Sequence, residues 1–345
     1  MDEWSNEIIR QWDKQKIKNP FTMRTVTINS TTFKQIDEII QLHNNNSFIS
    51  GLMWDNNSCY MDCILMCLLV QPATWTKRFI LNSNHDNSFK ILLSTELNYL
   101  YRKIHSNTEK YSCKELRNIF NIYSPESIFT TYEQADSDEF LRYLFNIFDV
   151  GVKSTGIVMQ ELSWGKQYPT DKWDFISERI DRKATPIWNV EIFSIINKSD
   201  TKLYNISDFL KIKSIDRVDW STYKKNKNFQ FQLRKREIKI ISSTFLCISI
   251  PRYNPFDEEK KITTKIVPVK YITIQENKLK LSSIIVHEGT QLEGHYYAFI
   301  EHNNIWYLYD DIINNGTPSL IGNYTALKEK YLETIAINGV LFFYL

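Results

Sequence analysis

The spacing of apolar residues changes once along this chain, near residue 151. Before that point four segments place apolar residues at helical spacing, and they are Cys59 to Val70, Phe89 to His105, Cys113 to Ile122 and Ser137 to Phe148. After it the pattern shifts to short runs rich in β-branched and aromatic residues, many of which alternate in polarity. A helical lobe followed by a strand-rich lobe favours an α+β fold with segregated elements over a doubly wound α/β fold.

The predicted strands cover much of the second half. They are Ile187 to Ile196, Phe229 to Leu233, Ile238 to Pro251, Lys265 to Ile274, Leu279 to Val286, Tyr296 to His302, Ile305 to Tyr309 and Gly339 to Tyr344. Residues 1–50 carry two helical patterns around an extended stretch and no candidate chemistry. We therefore expect three parts, which are an N-terminal extension (1–50), a helical part (51–165) and a β-rich part (166–345).

Charge and cysteine content exclude several classes of protein. The 42 Lys and Arg residues nearly balance the 40 Asp and Glu residues, and no long basic run is present, so neither nucleic acid nor an anionic membrane is expected as a partner. The longest strongly apolar run, Cys63 to Val70, is too short to cross a bilayer. The five cysteines are odd in number and three lie four residues apart, which indicates a reducing compartment, cytoplasmic or nuclear.

Cys59 is the strongest candidate for a nucleophile. A polar, asparagine-rich turn precedes it and an apolar helical pattern follows it, so we expect Cys59 in the first turn of a helix. Unpaired backbone N–H groups and the positive end of the helix dipole favour a thiolate over a thiol at such a position. The structural alternative is that Cys59 is one more small buried apolar residue, which is the commonest role of a free cysteine.

His295 is the histidine best placed to act as the base for that thiol. Gly294 precedes it at the start of a predicted strand, and a glycine there lets a second backbone or a substrate approach closely. A turn and a second predicted strand follow, so an antiparallel hairpin would return Asp310 to the side of His295. That carboxylate would accept the Nδ1 proton, fix the tautomer and stabilise the imidazolium. A purely structural histidine is the alternative.

An acidic helix start lies between Gln134 and Leu141. Asp136 precedes the predicted helix, and the acids that follow it fall in the first turn, where carboxylates interact favourably with the helix dipole. A helix cap explains Asp136 as well as a binding role does, because Asp is a preferred N-cap residue. Both interpretations stay open from these residues alone.

Five segments in this order resemble the sequence boxes of the ubiquitin-specific proteases. Gly51 through Asp62 resembles their Cys box, Gln134 to Leu141 their acidic segment, and Phe245 to Tyr253 one of their palm strands. The His box is matched by Ile285 to Gly289, Gly294 to Tyr296 and Trp306 to Asp311, and Gly339 to Tyr344 resembles the last palm strand. Order and spacing agree over residues 51 to 345.

This resemblance implies a papain-like cysteine protease with a helical thumb, an antiparallel β palm and short fingers. Its substrate would be ubiquitin, cleaved after the C-terminal glycine. The resemblance assigns Cys59 as nucleophile, His295 as general base and Asp310 as its orienting carboxylate. The remaining implied site residues are Asp311, the second aspartate that polarises the site, and Asp136, Gln134, Glu139 and Tyr296, which would bind the basic tail of ubiquitin between thumb and palm.

Two departures from the family pattern affect these expectations. Trp54 stands where the family has an asparagine that donates to the oxyanion, so we expect Asn56 or Asn57 to substitute, beside the backbone N–H of Cys59. Losing one oxyanion donor typically lowers the rate by a factor of about 10² to 10³. No CxxC pair lies between residues 151 and 280, and Cys247 alone builds no structural zinc site, so we expect zinc-free fingers and neither metal nor cofactor.

Three alternatives to a deubiquitinase follow from the same residues. Residues 59 to 65 also resemble, weakly, a branch directed at SUMO, so the modifier could differ. Trp54 motivates a second alternative, a ubiquitin-binding module without activity. The third is a cysteine hydrolase of an unrelated family.

Overall fold

The computed structural model describes residues 49–345, except 73–75, 83, 107–109, 151–155, 168–172, 175–179, 187–188, 192–200, 211, 219–231, 244, 255–259 and 275. The helices predicted before residue 49 lie outside the described residues, as do parts of the strands predicted at 187–196 and 229–233.

Five α-helices are present in the described chain. They are α1 (Cys59–Leu69), α2 (Ser88–Ile104), α3 (Lys114–Tyr123), α4 (Ser137–Ile147) and α5 (Tyr324–Asn338). Single helical turns occupy Thr76–Ile80, Ile128–Thr130, Ile206–Phe209 and Ile313–Gly316. The four predicted helices are confirmed to within one residue at each end. Helix α5 was not predicted, because its few buried residues make only a sparse apolar stripe. None of the described helices is long and apolar enough to span a membrane.

The strands of the described chain all follow α4. They are β1 (Gly156–Gln167), β2 (Trp173–Asp174), β3 (Ile180–Pro186), β4 (Asn189–Glu191), β5 (Leu203–Asn205), β6 (Ile212–Val218), β7 (Gln232–Ser243), β8 (Leu246–Ser249), β9 (Lys265–Val267), β10 (Tyr271–Ile274), β11 (Asn277–Gly289), β12 (Gly294–His302), β13 (Ile305–Tyr309), β14 (Ser319–Gly322) and β15 (Gly339–Tyr344). The predicted α+β class is confirmed. The predicted boundary at residue 165 falls inside β1, and the division into three parts stays a prediction.

Two larger sheets and one strand pair are formed. The palm sheet has the order β14-β13-β12-β11-β15-β8-β4, with β10 paired to β11. Its pairs are antiparallel except β4 with β8, which is parallel. The second sheet has the order β2-β1-β7-β6, with β3 paired to β1, and β5 pairs with β9 in parallel. The largely antiparallel palm agrees with the sequence prediction.

Both faces of the palm sheet are buried under apolar cores, and α1 lies in the core on one of these faces. Along β12, Ala298 and Ile300 belong to one apolar core together with the helices α1 to α4, whereas Phe299 belongs to a second core with α5. This alternation follows from the two-residue period of a strand. All residues of α1 are buried, and the helix packs against β12 and α4. A helix that is apolar on nearly every side, with Asp62 as its one acidic residue, belongs in such a position.

Two glycines allow the segment before α1 to pack closely against a segment of the palm. Gly316 has φ +73°, and a Cβ atom added to it would lie 1.9 Å from the carbonyl oxygen of Leu52. A Cβ atom on Gly51 would lie 1.7 Å from the carbonyl oxygen of Gly316. The hydroxyl of Tyr309 donates to the same Leu52 oxygen at 2.9 Å. The segment before Cys59 therefore lies directly against the segment after Asp310.

Candidate active site

Cys59 is the first residue of α1, as predicted from the sequence. The Ser58 carbonyl oxygen accepts from the N–H groups of Met61 and Asp62 at 2.8 and 2.9 Å. The N–H of Cys59 comes before the first of these bonds and has no acceptor within the helix. The side chain is largely buried, yet it lines a cavity of about 150 Å³ between the lobes. A backbone donor and a sulfur atom thus meet at one cavity wall.

Arg117 holds the turn that leads to Cys59. Asn56 and Asn57 both adopt the left-handed region, with φ 48° and 58°, which asparagine tolerates better than most residues. The Nη1 of the buried Arg117 donates to the carbonyl oxygens of Asp55 and Asn56 at 2.8 and 2.9 Å. Sequence analysis missed this residue, although an arginine within the apolar face of a predicted helix was a usable signal.

The predicted hairpin brings His295 to Asp310. Strands β12 and β13 pair in antiparallel register, with Ala298 opposite Tyr309, so both side chains lie just past the paired ends. The His295 Nε2 lies 3.0 Å from Asp310 Oδ1. The prediction that Nδ1 makes this bond was wrong. Asp310 is held beyond the end of β13 by the N–H groups of Ile312 and Ile313, and the distal nitrogen is the one that reaches it.

The charges of this site stabilise an imidazolium. Burial lowers the pKa of His295, but its hydrogen bonds to Asp310 and the Cys59 side chain, together with their charges, outweigh burial and raise that pKa to about 10. Burial raises the pKa of Asp310, but the His295 bond and two backbone donors bring it below its ordinary value. Since Nε2 serves Asp310, Nδ1 is the nitrogen left for Cys59. This arrangement suits a thiolate–imidazolium pair.

Asp311 lies beside the pair without bonding to it directly. Its Oδ1 is 3.7 Å from His295 Nε2 and its side chain is fully buried. Its carbonyl oxygen accepts from the Trp54 N–H at 3.3 Å. Among the described residues, one group could hold a metal ion, consisting of His295, Asp310 and Asp311, whose ligand atoms lie within 4.8 Å of one another. The His295–Asp310 hydrogen bond accounts for this cluster, and we assign no metal to it.

A groove between α4 and the β11–β12 turn leads to Cys59. It consists of the cavity at Cys59 and an adjoining cavity of about 210 Å³, and both are lined by Asp136, His287, Gln291 and Tyr296. The Tyr296 hydroxyl donates to Asp136 Oδ2 at 3.4 Å across this groove. Three of the predicted binding residues, Asp136, Tyr296 and Gln134, therefore lie together.

Asp136 and Gln134 also have local roles at the start of α4. The Asp136 side chain caps the helix by accepting from the N–H groups of Asp138 and Glu139 at 2.7 and 3.1 Å, so the capping interpretation is confirmed beside its place in the groove. Gln134 Oε1 accepts from the Gly294 N–H at 3.3 Å. The predicted binding residue Glu139 has an exposed side chain and lines neither cavity, and Asp138 lines the larger one in its place.

His287 was not selected from the sequence but lines the groove beside Cys59. It stands opposite Tyr296 in the β11–β12 register, and the two rings stack with centroids 4.4 Å apart. Burial, Lys261 and His295 lower its pKa to about 4, so this ring is neutral near pH 7. A Cβ atom at Gly294 would lie 2.4 Å from its Nε2. The Glu288 carbonyl oxygen would lie still closer, at 2.3 Å, so the backbone of β11 and the His287 ring together explain why glycine precedes His295.

The two asparagines predicted as oxyanion donors are used elsewhere. Asn57 Nδ2 donates to the Tyr132 carbonyl oxygen at 2.9 Å, and Asn56 Nδ2 donates to Asp55 Oδ1 at 3.1 Å. Neither side chain lines the cavity at Cys59. The left-handed turn directs both amides to these partners, so of the predicted oxyanion donors only the backbone N–H of Cys59 is left.

Comparisons with known proteins agree with this architecture. The profile of the ubiquitin carboxyl-terminal hydrolase family matches residues 50–319. A chain of the SAGA Ubp8/Sgf11/Sus1/Sgf73 DUB module bound to ubiquitin aldehyde superposes with a TM-score of 0.59 at 16% identity, over 93% of this chain and 77% of that one. The same module with a Cys-to-Ala variant of Ubp8, bound to monoubiquitin, gives a TM-score of 0.60 at 15% identity, over 98% and 83%. No curated protein matches the sequence.

Proposed function

Because this chain belongs to the ubiquitin carboxyl-terminal hydrolase family, we propose that it is a thiol protease that cleaves the bond after the C-terminal glycine of ubiquitin. The observation that carries this proposal is the cluster at the lobe interface. The Cys59 sulfur lines the groove at the start of α1, and His295 bonds to Asp310 at 3.0 Å beside it. Nucleophile, base and orienting carboxylate are the parts that cysteine proteases need.

The reaction follows from these positions. The Cys59 thiolate attacks the glycine carbonyl carbon, and the oxyanion receives a hydrogen bond from the Cys59 N–H. His295, as imidazolium, gives its proton to the leaving amine, which departs as the carbon–nitrogen bond breaks. A water molecule then attacks the thioester, His295 takes its proton, and the thiolate is released. Asp310 stabilises the imidazolium whenever the ring is protonated.

The groove supports a narrow, basic peptide as the part of the substrate that binds there. Its Tyr296–Asp136 contact, 3.4 Å long, and its small volume suit an extended tail with little side-chain bulk beside Cys59. Asp136 lines both cavities and suits a basic side chain next to Cys59, whereas Asp138 is paired with Arg142 at 2.9 Å. Family membership and two neighbours solved with ubiquitin or its aldehyde favour ubiquitin over SUMO as the modifier.

The proposal is tested with electrophilic probes built on the C-terminus of ubiquitin and, in parallel, of SUMO. We expect the wild-type chain to form a covalent adduct with the ubiquitin probe, and Cys59→Ala to form none. Cys67→Ala is the matched control, because Cys67 lies on the same helix and is also buried. Labelling that persists in Cys59→Ala would assign the nucleophile elsewhere, and preferential labelling by the SUMO probe would change the substrate.

One observation favours a second candidate, a ubiquitin-binding module without activity. Trp54 replaces the oxyanion asparagine and its side chain is 45% exposed, so one polar donor of the site is missing. This candidate requires saturable binding of ubiquitin without any covalent labelling. Titration of ubiquitin in parallel with the probe separates the two functions.

A further inference from the structure

Asp62 has a carboxyl group at a fully buried position, where an ionised carboxylate is unfavourable. It lies one turn after Cys59 in α1, is 0% exposed, and has apolar neighbours such as Cys63 and Ile64 on the same buried helix. In the described chain no lysine, arginine or histidine forms an ion pair with it. A carboxylate without a cation is strongly destabilised in such surroundings, whereas a neutral carboxylic acid is tolerated when its hydrogen bonds are made.

The groups facing Asp62 fit a neutral acid. The Ser58 hydroxyl donates to Asp62 Oδ2, and the same Ser58 oxygen accepts from the Asp55 N–H at 2.8 Å. The Cys113 side chain, which precedes α3, also lies near Asp62. The group facing it from just beyond the end of β13 is Asp311, whose carboxyl group is close enough to interact with it directly. Apart from Asp311 these partners are uncharged.

Asp311 needs the donor that a neutral Asp62 would supply. Both of its side-chain oxygens are buried, and among the described residues no other residue meets the geometric criterion for a hydrogen bond to them. The same holds for the Asp62 Oδ1 atom. Two carboxylates in contact are strongly disfavoured when both are ionised. A proton on Asp62 removes that repulsion and provides a hydrogen bond from Asp62 to the Asp311 carboxylate. Asp311 Oδ1 lies 3.7 Å from His295 Nε2, whereas Asp62 faces no cation among the described residues, so the proton belongs on Asp62. Burial raises the pKa of Asp311 to about 6, and burial together with the facing Asp311 raises the pKa of Asp62 well above its ordinary value, in agreement with this assignment.

We propose that Asp62 is a positioning residue of this active site: its neutral carboxyl group donates to Asp311 and holds that carboxylate facing His295. Asp311 Oδ1 lies 3.7 Å from His295 Nε2, where its charge stabilises the imidazolium. The link joins the helix that carries the sulfur to the hairpin that carries the imidazole. The role of this link in catalysis rests on the proposed function, whereas the protonation of Asp62 does not depend on it.

Infrared spectroscopy tests the proton without any substrate. The wild-type minus Asp62→Asn difference spectrum should contain the carbonyl band of a protonated, buried carboxylic acid. Asp86→Asn serves as the control, because Asp86 is exposed and should yield only a carboxylate band. A difference spectrum in which position 62 contributes a carboxylate band would overturn the proposal.

NMR titration of the His295 ring tests the positioning role, and it also works in an inactive protein. The carboxamide of Asp62→Asn can still donate to Asp311, so its His295 pKa should match the wild type. Asp62→Leu cannot donate, and its His295 pKa should fall by about one unit, a tenfold change in proton affinity. Equal falls in both variants, or no change in either, would contradict the proposal. Melting temperatures identify any variant that fails to fold.

Labelling by the ubiquitin probe then connects the proton to catalysis. We expect Asp62→Asn to label within a few-fold of wild type, and Asp62→Leu to be slower by about tenfold, in line with the expected change in the proton affinity of His295. In an Asp311→Asn background the loss caused by Asp62→Leu should largely disappear, because the two residues act as one unit. A wild-type protein that does not label at all would reject the proposed hydrolase, while the two spectroscopic tests would still decide the role of Asp62.

Discussion

One oxygen atom of Asp310 accepts three hydrogen bonds. Oδ1 receives His295 Nε2 at 3.0 Å and the N–H groups of Ile312 and Ile313 at 3.0 and 3.2 Å. The turn therefore fixes the carboxylate and the carboxylate fixes the imidazole. This explains how a single residue can determine which ring nitrogen faces the thiol.

Asp310→Asn should lower kcat/KM for a ubiquitin-linked fluorogenic substrate by roughly 10² to 10⁴-fold. An amide keeps the size of the side chain but removes the charge that stabilises the imidazolium, and losses of this order are usual for an orienting aspartate. Exposed Asp86→Asn is the charge-matched control and should behave as wild type. A loss below tenfold in Asp310→Asn would show that the charge of Asp310 contributes little.

The pH dependence of labelling should carry the signature of His295. Its pKa is raised to about 10, so the imidazolium is present at neutral pH and is lost as the pH rises through that value. The associated stability is fully present below the ordinary pKa of about 6.5 and declines between the two values. We expect an alkaline limit near pH 10 in wild type and a lower one in Asp310→Asn. A wild-type limit near pH 6.5 would contradict the charge arrangement.

At the level of elements, the start of α1 depends on contacts made by other segments. Arg117 from α3 donates to two carbonyl oxygens of the turn before Cys59, at 2.8 and 2.9 Å. A lysine keeps the charge but lacks the planar fork. Arg117→Lys should therefore slow probe labelling by about tenfold or more while ubiquitin still binds. Lys77→Arg, at an exposed position, is the control. Unchanged labelling in Arg117→Lys would mean that the turn before Cys59 keeps its conformation without the Arg117 hydrogen bonds.

The glycine contact between thumb and palm should be intolerant of a methyl group. At Gly316 a side chain meets a positive φ of +73° and the Leu52 oxygen at 1.9 Å. Gly316→Ala should therefore lower the free energy of unfolding by about 1 to 3 kcal/mol, measured by denaturant titration. Thr95→Ala, on the exposed face of α2, should change it by less than about 0.5 kcal/mol. Equal changes in the free energy of unfolding for the two variants would show that the close contact between Gly316 and Leu52 contributes nothing to stability.

Across the whole molecule, the sequence predicted what depends on local order. Apolar periodicity gave the four thumb helices, and the turn between two alternating runs gave the hairpin that brings Asp310 to His295. The start of α1 at Cys59 followed from the polar turn before it. These features are encoded within short segments, where spacing and capping decide the structure.

Features that depend on distant segments were not predicted. The choice of Nε2 follows from the turn after Asp310, and Asp62 of α1 meets Asp311 of the segment after β13 only once the chain has folded. Strand β1 pairs with β7 across a long stretch of chain, and its register cannot be read from either segment alone. The prediction that Asn56 or Asn57 serves the oxyanion failed because the left-handed turn directs their amides to Asp55 and to the Tyr132 carbonyl oxygen, and this turn appears only after folding.

The most direct test of the central claim is to identify which atom of the protein reacts with the ubiquitin tail. The protein would be treated with a C-terminal electrophile of ubiquitin, digested, and the modified peptide sequenced by mass spectrometry. We expect one adduct, on the sulfur of Cys59, which is lost in His295→Ala while the folded state persists. An adduct on Cys63, Cys67, Cys113 or Cys247, or an undiminished Cys59 adduct in His295→Ala, would contradict a thiol activated across the two lobes.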